Sequence, residues 1–171
     1  MYTENNREFQ NHSGKLTMDE YTQACSLSQI ISIDLLVRNK EGKYLLGMRK
    51  NPPARDFYFV PGSRVFKGEF LKNSFHRISQ DELGCKPLYF KLHGIYEHFY
   101  ENDSPSSKNI DTHYVVFAYD CELPDDFNEE QFLNQHSECV WMDKKEILSN
   151  NKVHLFTKYY FTPYSPNRLD L

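Results

Sequence analysis

The stretch VPGSRVFKGEFLKNSFHRISQDELGC, residues 60–85, contains the end of an apolar strand, a Pro-Gly turn, a basic loop and a helix. After Glu69, apolar residues that define one helical face recur at intervals of four and three: Leu71, Phe75 and Ile78. Glu82 continues this face, and Gly84 is typical of the residue that ends a helix. An unpaired carboxylate is costly to bury. Glu82 is therefore either solvated at a frayed helix end or functional, and the pattern alone leaves both readings open.

The same stretch resembles the signature of the Nudix hydrolases, G-x5-E-x7-R-E-U-x-E-E-x-G-U, in which U is apolar. The residues that match it are Glu69, Arg77, Asp81 (a conservative variant), Glu82 and Gly84. The residues that depart from it are Ser63 for the first glycine, Ile78 for the glutamate after the arginine, and Ser79 for an apolar residue. That glutamate is normally a metal ligand. The chain therefore resembles either an inactive Nudix domain or a subgroup with a rebuilt metal site.

Segments outside the signature favour the rebuilt site. In chain order they are ISIDLLV (31–37), LLGMRKNPPARDFYFVPGSRV (45–65), YEHFY (96–100), THYVV (112–116) and NQHSECVW (134–141). Together they resemble the GDP-mannose mannosyl hydrolase branch of the Nudix family, over roughly residues 15–161. That branch combines the pair Gln135-His136 with the loss seen at Ile78. The resemblance implies a homodimer that acts on a nucleotide sugar.

Composition limits the possible functions. The length of 171 residues predicts one domain with a proper core. The formal charge of −4 and the isoelectric point near 6.0 give no general attraction to nucleic acid, so local arginines must bind any polyphosphate. Twelve tyrosines and thirteen phenylalanines beside one tryptophan suit aromatic-rich strands and stacking surfaces.

Cysteine use and hydropathy predict a cytoplasmic protein. Four cysteines lie at positions 25, 85, 121 and 139, without a C-x2-C pair, and read as reduced thiols. No apolar run has the length of a membrane span, and the polar N-terminus lacks a signal-peptide core, which predicts no association with a membrane. Residues 1–14 predict a disordered extension, and residues 15–171 a single Nudix domain.

Periodicity predicts a sheet interrupted by helices. The expected strands are 30–37, 43–48, 57–60, 88–100 with a bulge at His93-Gly94, 112–122 and 138–142. The expected helical segments are a short turn capped by Thr17, the signature helix, one turn at 129–133, and 143–148 capped by Asp143. Residues 156–161 suit a helix or a strand equally. The fold class is α/β (α+β), with a mixed sheet between helices, the αβα sandwich that the Nudix resemblance implies.

The predicted metal site depends on the resemblance. Carboxylate oxygens suit Mg²⁺, which makes Glu82 the first candidate ligand. The resemblance adds the carbonyl of Gly62 and the side-chain amide of Gln135, with one Mg²⁺ per subunit and Mn²⁺ as a substitute. Considered without the resemblance, Gln135 is an ordinary surface glutamine.

The predicted base and phosphate-binding groups also follow from the resemblance. His136 is the implied general base, and the ordinary pKa of histidine near 6.5 suits that role, although a lone histidine in an acidic loop is more often only solvated. Arg49 and Arg64 are implied to bind phosphates through their planar guanidinium groups. Tyr114 is implied to donate to the leaving phosphate. We interpret Arg77 as a brace for the signature helix.

The remaining candidates concern the sugar and the base. Asp34 lies inside a buried strand and must be paired, protonated or catalytic, with an arginine as the expected structural partner. The resemblance places Asp34 near the sugar and an arginine, and gives His98 a sugar contact. It places three further residues near guanine: Lys15, Leu16 and Tyr21.

The leading function is therefore Mg²⁺-dependent hydrolysis of GDP-mannose, or of GDP-glucose, to GDP and free sugar. Water activated by His136, in a loop that can face the sugar while Glu82 faces the metal and the diphosphate, attacks the anomeric carbon with inversion. One alternative is a Nudix pyrophosphohydrolase that cleaves the P–O bond, against which Ile78 argues. Another is a catalytically silent module that binds nucleotide sugars.

Overall fold

Seven strands form one sheet in the computed structural model, which describes residues 16–103, 110–125, 127–133 and 136–169. The strands are β1 (Ile30–Arg38), β2 (Tyr44–Arg49), β3 (Tyr58–Phe59), β4 (Gly62–Arg64), β5 (Tyr89–Tyr100), β6 (Thr112–Glu122) and β7 (His136–Met142). The helices are α1 (Met18–Leu27), α2 (Leu71–Leu83), α3 (Glu129–Phe132), α4 (Lys144–Ser149) and α5 (Leu155–Tyr159). The expectation for residues 1–14 lies outside the described ranges.

The sheet is mixed, as predicted. Its order is β3-β2-β1-β6-β5, with β4 also paired to β1 and β7 to β2. Strands β1 and β6 run parallel over their whole length, and the other pairs are antiparallel. The nearly continuous apolar run of β1 explains its central position, because a central strand is covered on both faces.

Alternate side chains of β1 enter two separate cores. One core joins Ile33 and Leu35 to apolar residues of α2, including Phe75 and Ile78. The other joins Leu36 and neighbouring strands to α4 and α5 through three buried residues: Ile147, Phe156 and Tyr160. Helices thus cover both faces of the sheet, which is the αβα sandwich that the sequence predicts.

The signature segment forms a loop and then α2. The helix begins at Leu71 rather than near Glu69, because the Glu69 carboxylate accepts hydrogen bonds from Phe66 N, Ser74 Oγ and two nitrogens of Arg77 and so belongs to the loop. Gly84 ends the helix in the left-handed conformation, with φ of 71°. Arg77 braces this segment as predicted, since it also donates to the carbonyl of Arg64 at 3.0 Å.

Several boundaries differ from the predictions. Helix α1 is ten residues long instead of one turn, although its predicted Thr17 capping box is present. Strand β7 begins at His136 instead of Glu138, so His136 belongs to the sheet and not to the preceding loop. Residues 155–159 are helical, which decides the segment that periodicity left open. The predicted bulge in β5 is present between Leu92 and Gly94.

Two global observations complete the fold. All four cysteines lie in the described ranges, and none of them forms a disulfide, as predicted. Within the described ranges, no helix combines the length and the apolar character needed to cross a membrane.

Candidate active site

A cavity of about 280 Å³ opens where β1, β4 and β6 approach α1 and the end of α2. It brings together nine of the twelve predicted site residues: Tyr21, Asp34, Arg49, Gly62, Arg64, Glu82, His98, Tyr114 and His136. Leu16 precedes α1, is 38% exposed and does not line the cavity, so its predicted place in the site is not observed. Lys15 and Gln135 lie outside the described residues.

Glu82 and His136 lie side by side in this cavity. Both are buried, with 6% of each residue exposed. His136 Nε2 lies 3.6 Å from Glu82 Oε2, too far for a good hydrogen bond. Neither ring nitrogen of His136 has a hydrogen-bond partner in the described part of the chain. Glu82 is therefore not a solvated helix end, and His136 lies directly beside it.

Gly47 explains the position of the His136 ring. In the β2–β7 pair, a Cβ built on Gly47 would overlap His136 Cγ and Nδ1 and would approach Phe132 Cζ to 2.7 Å. The imidazole stacks on the buried Phe132 ring, with centroids 4.2 Å apart. Gly47 and Phe132 were not among the site residues predicted from the sequence. A glycine inside a strand is the signal that could have indicated this close approach.

Asp34 is held by a tyrosine and not by the arginine that we expected. Tyr160 donates its hydroxyl to Asp34 Oδ2 at 2.6 Å. Burial raises the pKa of Asp34 to about 7, an effect opposed by the Tyr160 hydrogen bond and the charge of Arg49 and reinforced by the charge of Glu82. Gly62 lies opposite Asp34 in the β1–β4 pair, and a Cβ there would overlap Asp34 Oδ1.

Two arginines bring positive charge to the cavity, and aromatic rings support both of them. The Arg64 guanidinium lies 4.6 Å from the centroid of Tyr21 and 5.2 Å from that of Phe66. The Arg49 guanidinium lies 5.6 Å from the centroid of Phe59, and its buried Nε has no hydrogen-bond partner among the described residues. Both guanidinium groups are thus placed to bind an anion in the cavity.

The hydroxyls of Tyr114 and Tyr21 form a hydrogen bond with each other. The two oxygens are 2.7 Å apart, and either can be the donor. Burial raises the pKa of both phenols, so the pair keeps both protons at neutral pH. One proton lies between the two oxygens, which leaves the other free to be donated to a bound group.

His98 is a neutral, fixed ring on the cavity wall. Burial and the nearby His154 lower the pKa of His98 to about 3. Its ring is stacked on Phe156, with centroids 4.3 Å apart, and its Nε2 lies 3.2 Å from the Tyr160 hydroxyl. Tyr160 had no signal in the sequence, because 126 residues separate it from Asp34.

The cavity contains oxygen atoms that could bind a divalent metal ion. In the part of the chain that the structure describes, no group of three or more His, Cys, Asp or Glu side chains is arranged to hold a metal ion. The buried Glu82 carboxylate has no hydrogen-bond donor among the described residues, and Gly62 lines the same cavity. A carboxylate and a backbone carbonyl are oxygen ligands of the kind that Mg²⁺ prefers. The donor set therefore fits an ion that the substrate also helps to coordinate.

The chain matches a protein-family model and is similar in sequence to a known protein. The family model described as NUDIX domain matches residues 29–164. The low-salt glycan biosynthesis protein Agl8 of Haloferax volcanii is 39% identical over 121 residues, which is 70% of this chain and 74% of that protein.

Solved structures show the same fold. A MutT protein from Methanosarcina mazei Go1 gives a TM-score of 0.62 at 22% identity, over 80% of this chain and 94% of that one. The NUDIX domain of Shewanella oneidensis NrtR, complexed with ADP ribose, gives a TM-score of 0.57 at 17% identity, over 85% of this chain and 96% of that one.

Proposed function

The chain belongs to the Nudix hydrolase family, and from this premise we propose that it hydrolyses GDP-mannose, or GDP-glucose, to GDP and the free sugar. In this reaction water attacks the anomeric carbon and inverts its configuration. The 39% identity to a glycan biosynthesis protein supports a nucleotide sugar as the substrate, because such compounds are the donors from which glycans are built.

The observation that carries the proposal is the buried His136 imidazole. Its two nitrogens have no hydrogen-bond partner within the described residues, so one of them is free to accept a proton from water. Gly47 and Phe132 fix the ring, and a fixed base within reach of water commonly contributes about 10²–10⁴-fold in rate. Ile78 supports the same reading, because it is fully buried in the core where the family signature has a carboxylate.

The leaving group would be bound by cations and phenols. Arg49 and Arg64 supply positive charge in a chain whose formal charge is −4. Positive charge and positioned donors stabilise the negative charge that develops on a departing diphosphate. The free proton of the Tyr21–Tyr114 pair is a suitable donor to a phosphate oxygen.

Nudix hydrolases generally use divalent metal ions such as Mg²⁺. We propose that Glu82 and the Gly62 carbonyl hold one Mg²⁺ per subunit, together with Gln135, and that Mn²⁺ substitutes for it. When bound, the ion would offset the charge of the diphosphate. Glu82 is the one anionic side chain in this set, so we expect the ion to bind mainly together with the substrate.

A second candidate function is hydrolysis of a P–O bond of a nucleotide sugar. The distance of 3.6 Å between His136 and Glu82 favours it, because a base beside the ligand of a metal can activate water close to the diphosphate. Under this reading the products are a sugar phosphate and a nucleoside monophosphate.

Hydrolysis in ¹⁸O-labelled water distinguishes these candidates. The assay would present GDP-mannose, GDP-glucose and the matching UDP-sugars with Mg²⁺ and analyse the products by mass spectrometry. Label in the free sugar is the expected result. Label in a phosphate would establish P–O cleavage and overturn the leading proposal. Binding without any turnover would identify a silent binding module instead.

Two further features are proposed with this function. The resemblance to a dimeric branch leads us to propose a homodimer, which sedimentation of the purified chain would reveal by its mass. Four cysteines that form no disulfide suit a reducing compartment, and we propose the cytoplasm, which fractionation of the source cells would test.

A further inference from the structure

Tyr160 is a buried residue that connects α5 to the centre of the sheet. It follows α5 as its C-cap residue and is 3% exposed. Its ring packs edge-on against Tyr96, with centroids 4.8 Å apart. Its hydroxyl reaches Asp34 Oδ2 at 2.6 Å and His98 Nε2 at 3.2 Å. One hydroxyl therefore links two residues that line the cavity.

The direction of these hydrogen bonds follows from the number of protons. A tyrosine hydroxyl has one proton, and Tyr160 donates it to the Asp34 carboxylate. Its oxygen must then accept a hydrogen bond from His98 Nε2–H. Because His98 is neutral, it has a single N–H. The hydrogen bond to the Tyr160 oxygen places this N–H on Nε2. The stacking of His98 on Phe156, with ring planes 6° apart, holds the donor in place.

This series of hydrogen bonds involves only one of the two oxygens of Asp34. Oδ2 accepts from Tyr160, whereas Oδ1 lies beside Gly62, where the missing Cβ leaves room for it at the cavity wall. A carboxyl oxygen that carries no proton accepts hydrogen bonds. Oδ1 therefore suits a ligand that donates one, and a sugar hydroxyl is such a donor.

We propose that Tyr160 is a positioning residue that, together with His98, orients Asp34 so that Oδ1 accepts a hydrogen bond from one hydroxyl of the substrate's sugar. This inference rests on the proposed function, and it assigns sugar discrimination to a residue outside the cavity lining. Sites that hydrogen-bond a substrate hydroxyl reject analogues that lack it, because the buried acceptor is then left without a partner.

The test compares substrates that differ by one hydroxyl. Hydrolysis of GDP-mannose and of its single-deoxy analogues would be measured for the unsubstituted chain, for Tyr160→Phe and for Tyr159→Phe. We expect one analogue to lower kcat/KM of the unsubstituted chain by about 10–100-fold, the loss that corresponds to one hydrogen bond to a charged group. Tyr160→Phe removes only the hydroxyl, and we expect it to lower kcat/KM for GDP-mannose about 10-fold and to lose most of that discrimination.

Tyr159→Phe is the matched control, because Tyr159 is the preceding residue and its hydroxyl takes no part in this network in the described part of the chain. It should behave like the unsubstituted chain. A purely structural role for Tyr160 would lower all rates equally, so an unchanged discrimination ratio would overturn the inference. The absence of turnover by the unsubstituted chain would instead overturn the proposed function.

An NMR measurement that needs no turnover tests the hydrogen bonds of Tyr160 with Asp34 and His98. The ¹⁵N chemical shifts of the His98 ring distinguish its two neutral tautomers. We expect the Nε2–H form in the unsubstituted chain and in Tyr159→Phe, and a changed tautomer balance in Tyr160→Phe. Finding the Nδ1–H form in the unsubstituted chain would contradict the proposed direction and the role of Tyr160.

Discussion

At the scale of single residues, the position of His136 depends on an atom that Gly47 lacks. The imidazole occupies the space of that missing Cβ and stacks on Phe132. This close fit keeps the ring beside Glu82. Interiors of this density transmit small changes in volume, so a single methyl group here should act on the base directly.

The first prediction concerns Gly47→Ala. The added methyl group must displace the His136 ring, and we expect kcat to fall about 100-fold, within the range for loss of a positioned base. Steady-state kinetics would measure the change. Gly42→Ala is the control, since its methyl group meets no atom of the described residues within 4 Å, and it should keep normal kcat although the φ of 82° makes the change costly to stability. A normal rate in Gly47→Ala would contradict the role of His136.

Glu82 gives a second prediction at this scale. Glu82→Gln should lower the rate by orders of magnitude and weaken the dependence on Mg²⁺, because the carboxylate serves the ion. Its stability should stay the same or rise, since the change removes a buried charge that accepts no hydrogen bond from the described residues. Kinetics against Mg²⁺ concentration and urea unfolding would show both effects. Asp81→Asn alters the exposed neighbour and should leave the Mg²⁺ dependence intact; equal effects of both changes would count against the assignment.

At the scale of elements, the loop before α2 is organised by one ion pair. Arg77 donates two hydrogen bonds to Glu69 and a third to the Arg64 carbonyl, and its guanidinium lies 3.7 Å from the centroid of Phe66. The helix thereby holds the loop that presents Arg64 to the cavity. The signature glutamate and arginine therefore act here as supports for Arg64.

This pair gives a prediction of acid sensitivity. The hydrogen bond from Arg77 is the main cause that lowers the pKa of Glu69 from its usual 4.5 to about 2. Because the folded pKa lies below the unfolded one, this stabilisation is complete above about pH 4.5 and is lost as the pH falls toward 2. Urea unfolding from pH 7 to pH 2 would measure it.

We expect Glu69→Gln to unfold about 1–3 kcal/mol more easily at pH 7 and to lose less stability on acidification. Glu41→Gln, in an exposed turn, is the control and should follow the unsubstituted chain. Parallel pH profiles for Glu69→Gln and the unsubstituted chain would contradict the stabilising role of the pair.

At the scale of the whole molecule, the sequence predicts what periodicity and capping determine. The strands around Asp34 and Tyr114 and the capped helix after Asp143 lie as predicted, because apolar alternation and local hydrogen bonds suffice to specify them. The contacts of Asp34 with Tyr160, and of His136 with Glu82, could not be predicted. They join distant segments, and nothing local in either segment indicates its partner.

The link from Tyr160 to Asp34 also bears on the order in which the protein becomes functional during its synthesis. Strand β1 is made before β6, with which it pairs, and its Asp34 receives a hydrogen bond from Tyr160, the residue after α5, which is made 126 residues later. Such long-range contacts make for slow folding, because distant segments must meet before either is stabilised. We expect a nascent chain that still holds α5 inside the ribosome to lack a completed sugar-recognition group. The chain would then gain selectivity for its substrate only after Tyr160 has left the ribosome.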